Sequence, residues 1–88
     1  MQRLQVRFTG RVQGVGFRAT TAHIAASHAV TGWVSNEPDG TVSAQVQGEA
    51  PVVRAFLNDV EERMHRNITA IDTSPAMVVD GEHGFHIR

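Results

Sequence analysis

From Pro51 to Met64 the apolar residues Val53, Phe56, Leu57, Val60 and Met64 recur at the i, i+3, i+4 spacing of a single helical face. Pro51 suits the first helical position, where its missing N–H would have had no intrahelical partner. A helix with one apolar stripe has to lay that stripe on something, and the flanking sequence offers sheet. Residues 3–9 alternate, placing Leu4, Val6 and Phe8 on one side and Arg3, Gln5, Arg7 and Thr9 on the other. Residues 30–36 carry Val, Trp and Thr, and residues 41–48 alternate through Val42, Ala44 and Val46. Pro38-Asp39-Gly40 between them is a turn signal, so the two runs read as a hairpin.

Three further segments complete the order. Residues 18–28 are Ala-rich, without Gly or Pro, and Phe17, Thr21, Ile24, Ala25 and His28 fall on one helical face. Residues 68–79 look strand-like, but Pro75 restricts them to an edge or breaks them. Phe85 and Ile87 alternate with His86 and Arg88 in a last short strand, after the turn residues Asp80-Gly81-Glu82. The reading is an α+β, ferredoxin-like sandwich, β-α-β-β-α-β with a short extra C-terminal strand. It implies an antiparallel sheet with two helices on one face. At 88 residues the chain holds one core, and residues 1–88 are expected to form a single domain.

Charge is distributed unevenly. All eight basic residues are Arg, and Arg3, Arg7, Arg11 and Arg18 lie within the first 36 residues, which contain no Asp or Glu. The nine carboxylates fall between Glu37 and Glu82, so the overall charge of −1 divides into a basic first third and an acidic remainder. A positive field around residues 10–18 favours an anionic ligand. Without Lys the chain cannot supply a P-loop, and without Cys it has no disulfide, thiolate metal site or Cys nucleophile. The absence of Cys fits a cytoplasmic location. No apolar run approaches the ~20 residues that span a bilayer, and no secretion signal is apparent, so no membrane association is expected.

The segment GRVQGVGFR at 10–18 joins the first strand to the first helix. Gly14-Val15-Gly16-Phe17-Arg18-Ala19 satisfies G-x-G-x-x-A, with Glu37 near the distance of a ribose-binding acid. The dinucleotide reading fails on context, because the next strand turns into a hairpin and no second mononucleotide half follows. Two readings stay open. In one, loop amides at a helix N-terminus cradle a phosphate, the glycines let the backbone curl, and Arg18 adds a planar two-pronged guanidinium. In the other, the loop is a demanding turn with a surface Arg. Asn36, ending the second strand, can hold a water by its donors and acceptor or can simply close a turn. The five His show no metal-ligand spacing with the carboxylates, and Trp33 reads as core or sheet-face packing.

GRVQGVGFR at 10–18, followed in register by TGWVSNEPDGTV at 31–42, closely resembles the acylphosphatase family. The resemblance runs over essentially the whole chain, through Val42–Gly48, the second helix and the closing Phe85–Arg88. It implies a small cytoplasmic, monomeric hydrolase that cleaves the carboxyl–phosphate bond of acyl phosphates with no metal or cofactor. It assigns phosphoryl binding to Gly14, Val15, Gly16, Phe17 and Arg18, and the positioning of the attacking water to Asn36. Ala19-Thr20-Thr21 and His65-Arg66-Asn67-Ile68 depart from the family's usual residues, which bears on packing and substrate access but touches neither Arg18 nor Asn36. The alternative from another class is a non-catalytic phosphate-binding module of the same fold. An RNA-binding reading lacks paired exposed aromatics and an RNP-type motif, so no nucleic-acid partner is expected.

Overall fold

The computed structural model describes all 88 residues, in the element order that the periodicities predict. Strands β1 (Gln2–Gly10), β2 (Thr31–Asn36), β3 (Val42–Gly48), β4 (Ile68–Pro75) and β5 (Phe85–Ile87) form one sheet in the order β4-β1-β3-β2-β5. Helices α1 (Phe17–Ala25) and α2 (Ala50–Arg63) cover one face. The alternating residues supply the contact: Val6 and Phe8 from β1, Val34 from β2, and Val42, Ala44 and Val46 from β3 are buried. Against them pack Phe17, Thr21, Ile24 and Ala25 of α1 and Val53, Phe56 and Val60 of α2. Full burial of each Val, Ile or Phe contributes roughly 1.5–3 kcal/mol, so this one layer holds the helices in place.

Helix α1 stops short of the periodic segment 18–28. The amides of Ser27 and His28 bond to the carbonyls three residues back, at Ile24 and Ala25, and this tightens the last turn out of α geometry. His28 stays tied to α2 through Asp59, 3.2 Å away, with its ring edge-on to Phe56. Strand β4 ends at Pro75 and pairs only with β1, so it is the edge strand that the proline requires.

The antiparallel expectation needs one correction. Strand β5 runs parallel to β2, with Gly32, Trp33 and Val34 opposite Phe85, His86 and Ile87. The reason is positional. Strand β4 lies at one edge of the sheet and β5 at the other, so residues 76–84 must cross the sheet before β5 can pair.

The crossing also buries Arg3, which alternation places on the side of β1 away from Leu4, Val6 and Phe8. Arg3, Gln47 and Thr31 lie in one row across β1, β3 and β2, on the face opposite the helices. The segment 76–84 passes over that row and buries it. Ala76 N–H donates to Arg3 O, and Val79 exchanges two bonds with the Gln47 amide, at 2.8 and 2.9 Å. The Arg3 guanidinium donates to both Glu82 carboxylate oxygens, at 2.7 and 3.1 Å, and to Gln45 and Gln47. Its side chain is 2% exposed and that of Glu82 15%. The Thr31 hydroxyl is a further donor to Glu82, and these contacts, led by Arg3, hold the Glu82 carboxyl below the ordinary carboxylate range.

A carboxylate with a depressed pKa stabilises the fold above its unfolded pKa, and that contribution is lost as pH falls through the folded value. Glu82→Gln should therefore lower stability by about 3 kcal/mol at neutral pH, since it leaves Arg3 buried without its counter-ion. The gap from wild type should narrow only as pH falls below the ordinary carboxylate range and through the lowered pKa of the folded protein, where the native carboxyl is itself protonated. Urea unfolding of both proteins at several pH values measures it; a gap independent of pH would assign the loss to packing instead.

Candidate active site

The loop from Arg11 to Gly16 is held at both ends. At its start Arg11 N–H donates to Asn67 O and the Asn67 side chain returns a bond to Arg11 O. Further on, the Gln13 side-chain amide donates to Glu37 O at 2.7 Å and Thr41 O at 2.9 Å, which ties the loop to the β2–β3 turn. That turn is closed by Asp39, whose carboxylate accepts from the Thr41 hydroxyl and amide; these bonds lower its pKa. Phe17 then anchors the loop's exit in the core, its ring 5.0 Å from that of Phe8.

Between these anchors the backbone curls. Gly14 and Gly16 have φ of +75° and +77°, in the left-handed region, and a Cβ on either would meet no neighbour. Glycine is required there by conformation and not by space. Gly16 is the N-cap of α1, and Thr20 N–H is the first to bond back to it. The amides of Gly14, Val15 and Gly16 have no backbone acceptor, and those of Phe17, Arg18 and Ala19 belong to the helix's first turn, where no intrahelical acceptor exists. Six consecutive N–H groups at the positive end of a helix dipole form a nest suited to an anion.

A cavity of about 200 Å³ opens at this point, lined by Val12, Gly14, Gly16, Phe17, Arg18, Ala19, Asn36 and Ile87. Arg18 is the only ionisable side chain among them. One of its terminal nitrogens donates to Arg88 O at 2.9 Å, which fixes the guanidinium and leaves its other donors free. Arg88 in turn lies with its own guanidinium 4.5 Å from the Trp33 ring centroid, so Trp33 packs on the sheet face. Asn36 completes the cavity from the end of β2. Its Oδ1 is buried and makes no hydrogen bond. Only Thr21 Oγ1 shares that condition, and Thr21 does not line the cavity. A larger groove between α2 and β4 is lined by Asn58, Glu61, Glu62 and His65 among others, and it contains neither a nest nor a free guanidinium.

The fold agrees with the comparisons with known proteins. The acylphosphatase family profile matches residues 4–87. The chain belongs to the acylphosphatase family. It is 40% identical over 88 residues to an acylphosphatase of Geobacillus kaustophilus, covering 99% of this chain and 94% of the relative. An acylphosphatase of Salinibacter ruber is 36% identical, with 99% and 93% covered. The crystal structure of acylphosphatase from Bacillus subtilis superposes with a TM-score of 0.88 at 29% identity, covering 100% of this chain and 99% of that one.

Among the residues that the acylphosphatase resemblance singled out, Gly14, Gly16, Phe17, Arg18 and Asn36 all line the one cavity, and Val15 lies between its two glycines. Gln13, Arg88 and Ile87 were not anticipated. Nothing in the composition or spacing marks Gln13 as a loop anchor, because its acceptors are backbone carbonyls of residues 37 and 41. No three His, Cys, Asp or Glu side chains come together in an arrangement that could hold a metal ion.

Proposed function

We propose that this chain, a single domain spanning 1–88, hydrolyses acyl phosphates to a carboxylate and inorganic phosphate. The observation that carries the reading is the Asn36 side-chain amide lining the same cavity as Arg18 and the α1 N-terminus. An anion cradle alone needs no such amide. A cradle that also has to hold a water against phosphorus does.

The chemistry matches these parts. The phosphoryl group takes the amides of Gly14 to Arg18 and the free donors of Arg18. Water held by the Asn36 side-chain amide attacks phosphorus, the bond from phosphorus to the acyl oxygen breaks, and the acyl carboxylate leaves with the bonding electrons. The water protons end on the phosphate product and solvent. A carboxylate is a good leaving group, so no tuned acid is needed; positioning and charge stabilisation supply the rate. The reading extends to a monomer, which the family resemblance implies, and to the cytoplasm, which the lack of Cys fits.

Purified protein should hydrolyse benzoyl and acetyl phosphate in the presence of EDTA, followed by release of inorganic phosphate. Phosphate binding without turnover would replace the enzyme with a non-catalytic binding module, and turnover that EDTA abolishes would overturn the metal-free mechanism.

A further inference from the structure

We propose that the outer edge of β4, with the groove beside it, is a docking surface that takes up an extended, basic segment of a partner protein as an added strand. The edge is free, since β4 pairs only with β1 and stands first in the sheet order. Which of its groups are open follows from one bond. Ala76 N–H donates to Arg3 O, and along an antiparallel ladder residues that bond to the neighbour alternate with residues that turn away from it. The register from Leu4 opposite Pro75 to Thr9 opposite Ala70 runs without a shift, so Ser74, Asp72 and Ala70 bond to β1. Pro75, Thr73 and Ile71 turn outward. Pro75 has no N–H to offer, so the donors left open on this stretch are those of Ile71 and Thr73. At the opposite edge of the sheet, β5 is only three residues long.

The groove decides which side chains fit. Its volume is about 820 Å³, and it is lined by Ile68 and Ile71 of β4 and by Glu61 and Glu62 of α2. Ile71 stands opposite Phe8 and therefore on the helix face. A residue added opposite Ile71 shares that face, as do the residues two positions to either side. A long basic side chain there can lie with its stem on the two isoleucines and carry its charge to the carboxylates. Neither Lys nor Arg lines the groove, and Glu61 and Glu62 enter no ion pair. Asp72, on the other face of the edge, has none either, because Arg7 opposite it turns to Asp39 at 3.9 Å. Both faces of the open edge are thus acidic and lack counter-ions. The same charges disfavour a second copy of this chain, since β4 laid against β4 sets Asp72 near Asp72 and gains no cation.

The probe is the peptide acetyl-VRVRVR-amide, added to the full chain at low salt and followed by amide NMR spectra and hydrogen exchange. At about ten times its Kd it should slow exchange of the Ile71 and Thr73 amides about tenfold. Acetyl-VEVEVE-amide, of the wrong charge, and spermidine, which has charge but no backbone, should leave both amides unchanged. Glu61→Gln combined with Glu62→Gln should weaken peptide binding about three- to tenfold, as the loss of two exposed charge pairs does. Thr73→Pro removes an outward N–H without touching the ladder to β1, and should weaken binding at least about tenfold. The rest of each spectrum reports whether the variant is folded, and the double Gln variant leaves the strand unaltered should the proline disrupt it. Equal protection by the acidic peptide or by spermidine, a response that maps away from β4, or binding that the double Gln variant does not weaken overturns the docking surface. Protection of the same two amides that grows with protein concentration alone would give the edge to a second copy and overturn the basic partner.

Discussion

Arg18→Ala should lower kcat/KM for acyl phosphates by about 10³-fold or more, in the range that a single arginine contributes to phosphoryl transfer. The size follows from the lining. Arg18 brings the only formal positive charge to the cavity, and the amides around it carry partial charges alone. Inhibition by inorganic phosphate should weaken in parallel, because the guanidinium meets the ground-state anion as well as the transition state. Arg18→Lys should recover only a small part. The ammonium keeps the charge but is a point donor, and it lacks the planar fork that can bond Arg88 O with one arm and the phosphoryl group with the others. The folded state should be little affected, since the side chain is half-buried and its one internal bond is exposed. Steady-state kinetics with thermal unfolding as a control measures this. A kcat/KM within about tenfold of wild type for Arg18→Ala would remove Arg18 from the mechanism.

How legible this was from sequence depends on how local each determinant is. The α2 stripe, the hairpin around Pro38-Asp39-Gly40 and the glycine loop are set by residues within a few positions of one another, and all three stand where their patterns put them. Pro75 limits β4 through its own missing N–H, which is also local. Arg3 is the opposite case. Alternation places it away from the helices, correctly, but its burial depends on Glu82, Thr31 and Gln47, of which Glu82 lies 79 positions away. Only the passage of residues 76–84 over the sheet brings these together, and that same passage sets β5 parallel to β2. Three residues of β5 carry no mark of strand direction. The site divides in the same way. The cradle is a continuous segment and can be read as one, whereas Asn36 has a second, ordinary reading as a turn residue. Asn36 lines the cavity, and its Oδ1, buried without a partner, adds no bond to the turn.

That bare atom makes Asn36 the sharper test. Asn36→Ala should lower kcat by about 10²-fold or more while KM and phosphate inhibition stay close to wild type, because the lost interaction is with the attacking water and not with the phosphoryl group. Stability should move the other way. A buried acceptor with no partner is destabilising by about 1–3 kcal/mol, so removing it should leave the protein as stable as before or raise Tm by several degrees. A residue that merely closed the β2–β3 turn would behave in reverse, with activity kept and Tm lowered. But the turn already has its own fastening, in the bonds from Thr41 to Asp39 and from Gln13 to Glu37 and Thr41, and Asn36 contributes no side-chain bond to it. Asn36→Asp sharpens the distinction further. It retains an acceptor for water but sets a negative charge beside the phosphoryl group, so phosphate inhibition should weaken where the Ala variant leaves it intact. Near-wild-type kcat in Asn36→Ala would transfer the water to another acceptor, while lost activity together with lowered Tm would return Asn36 to a structural role.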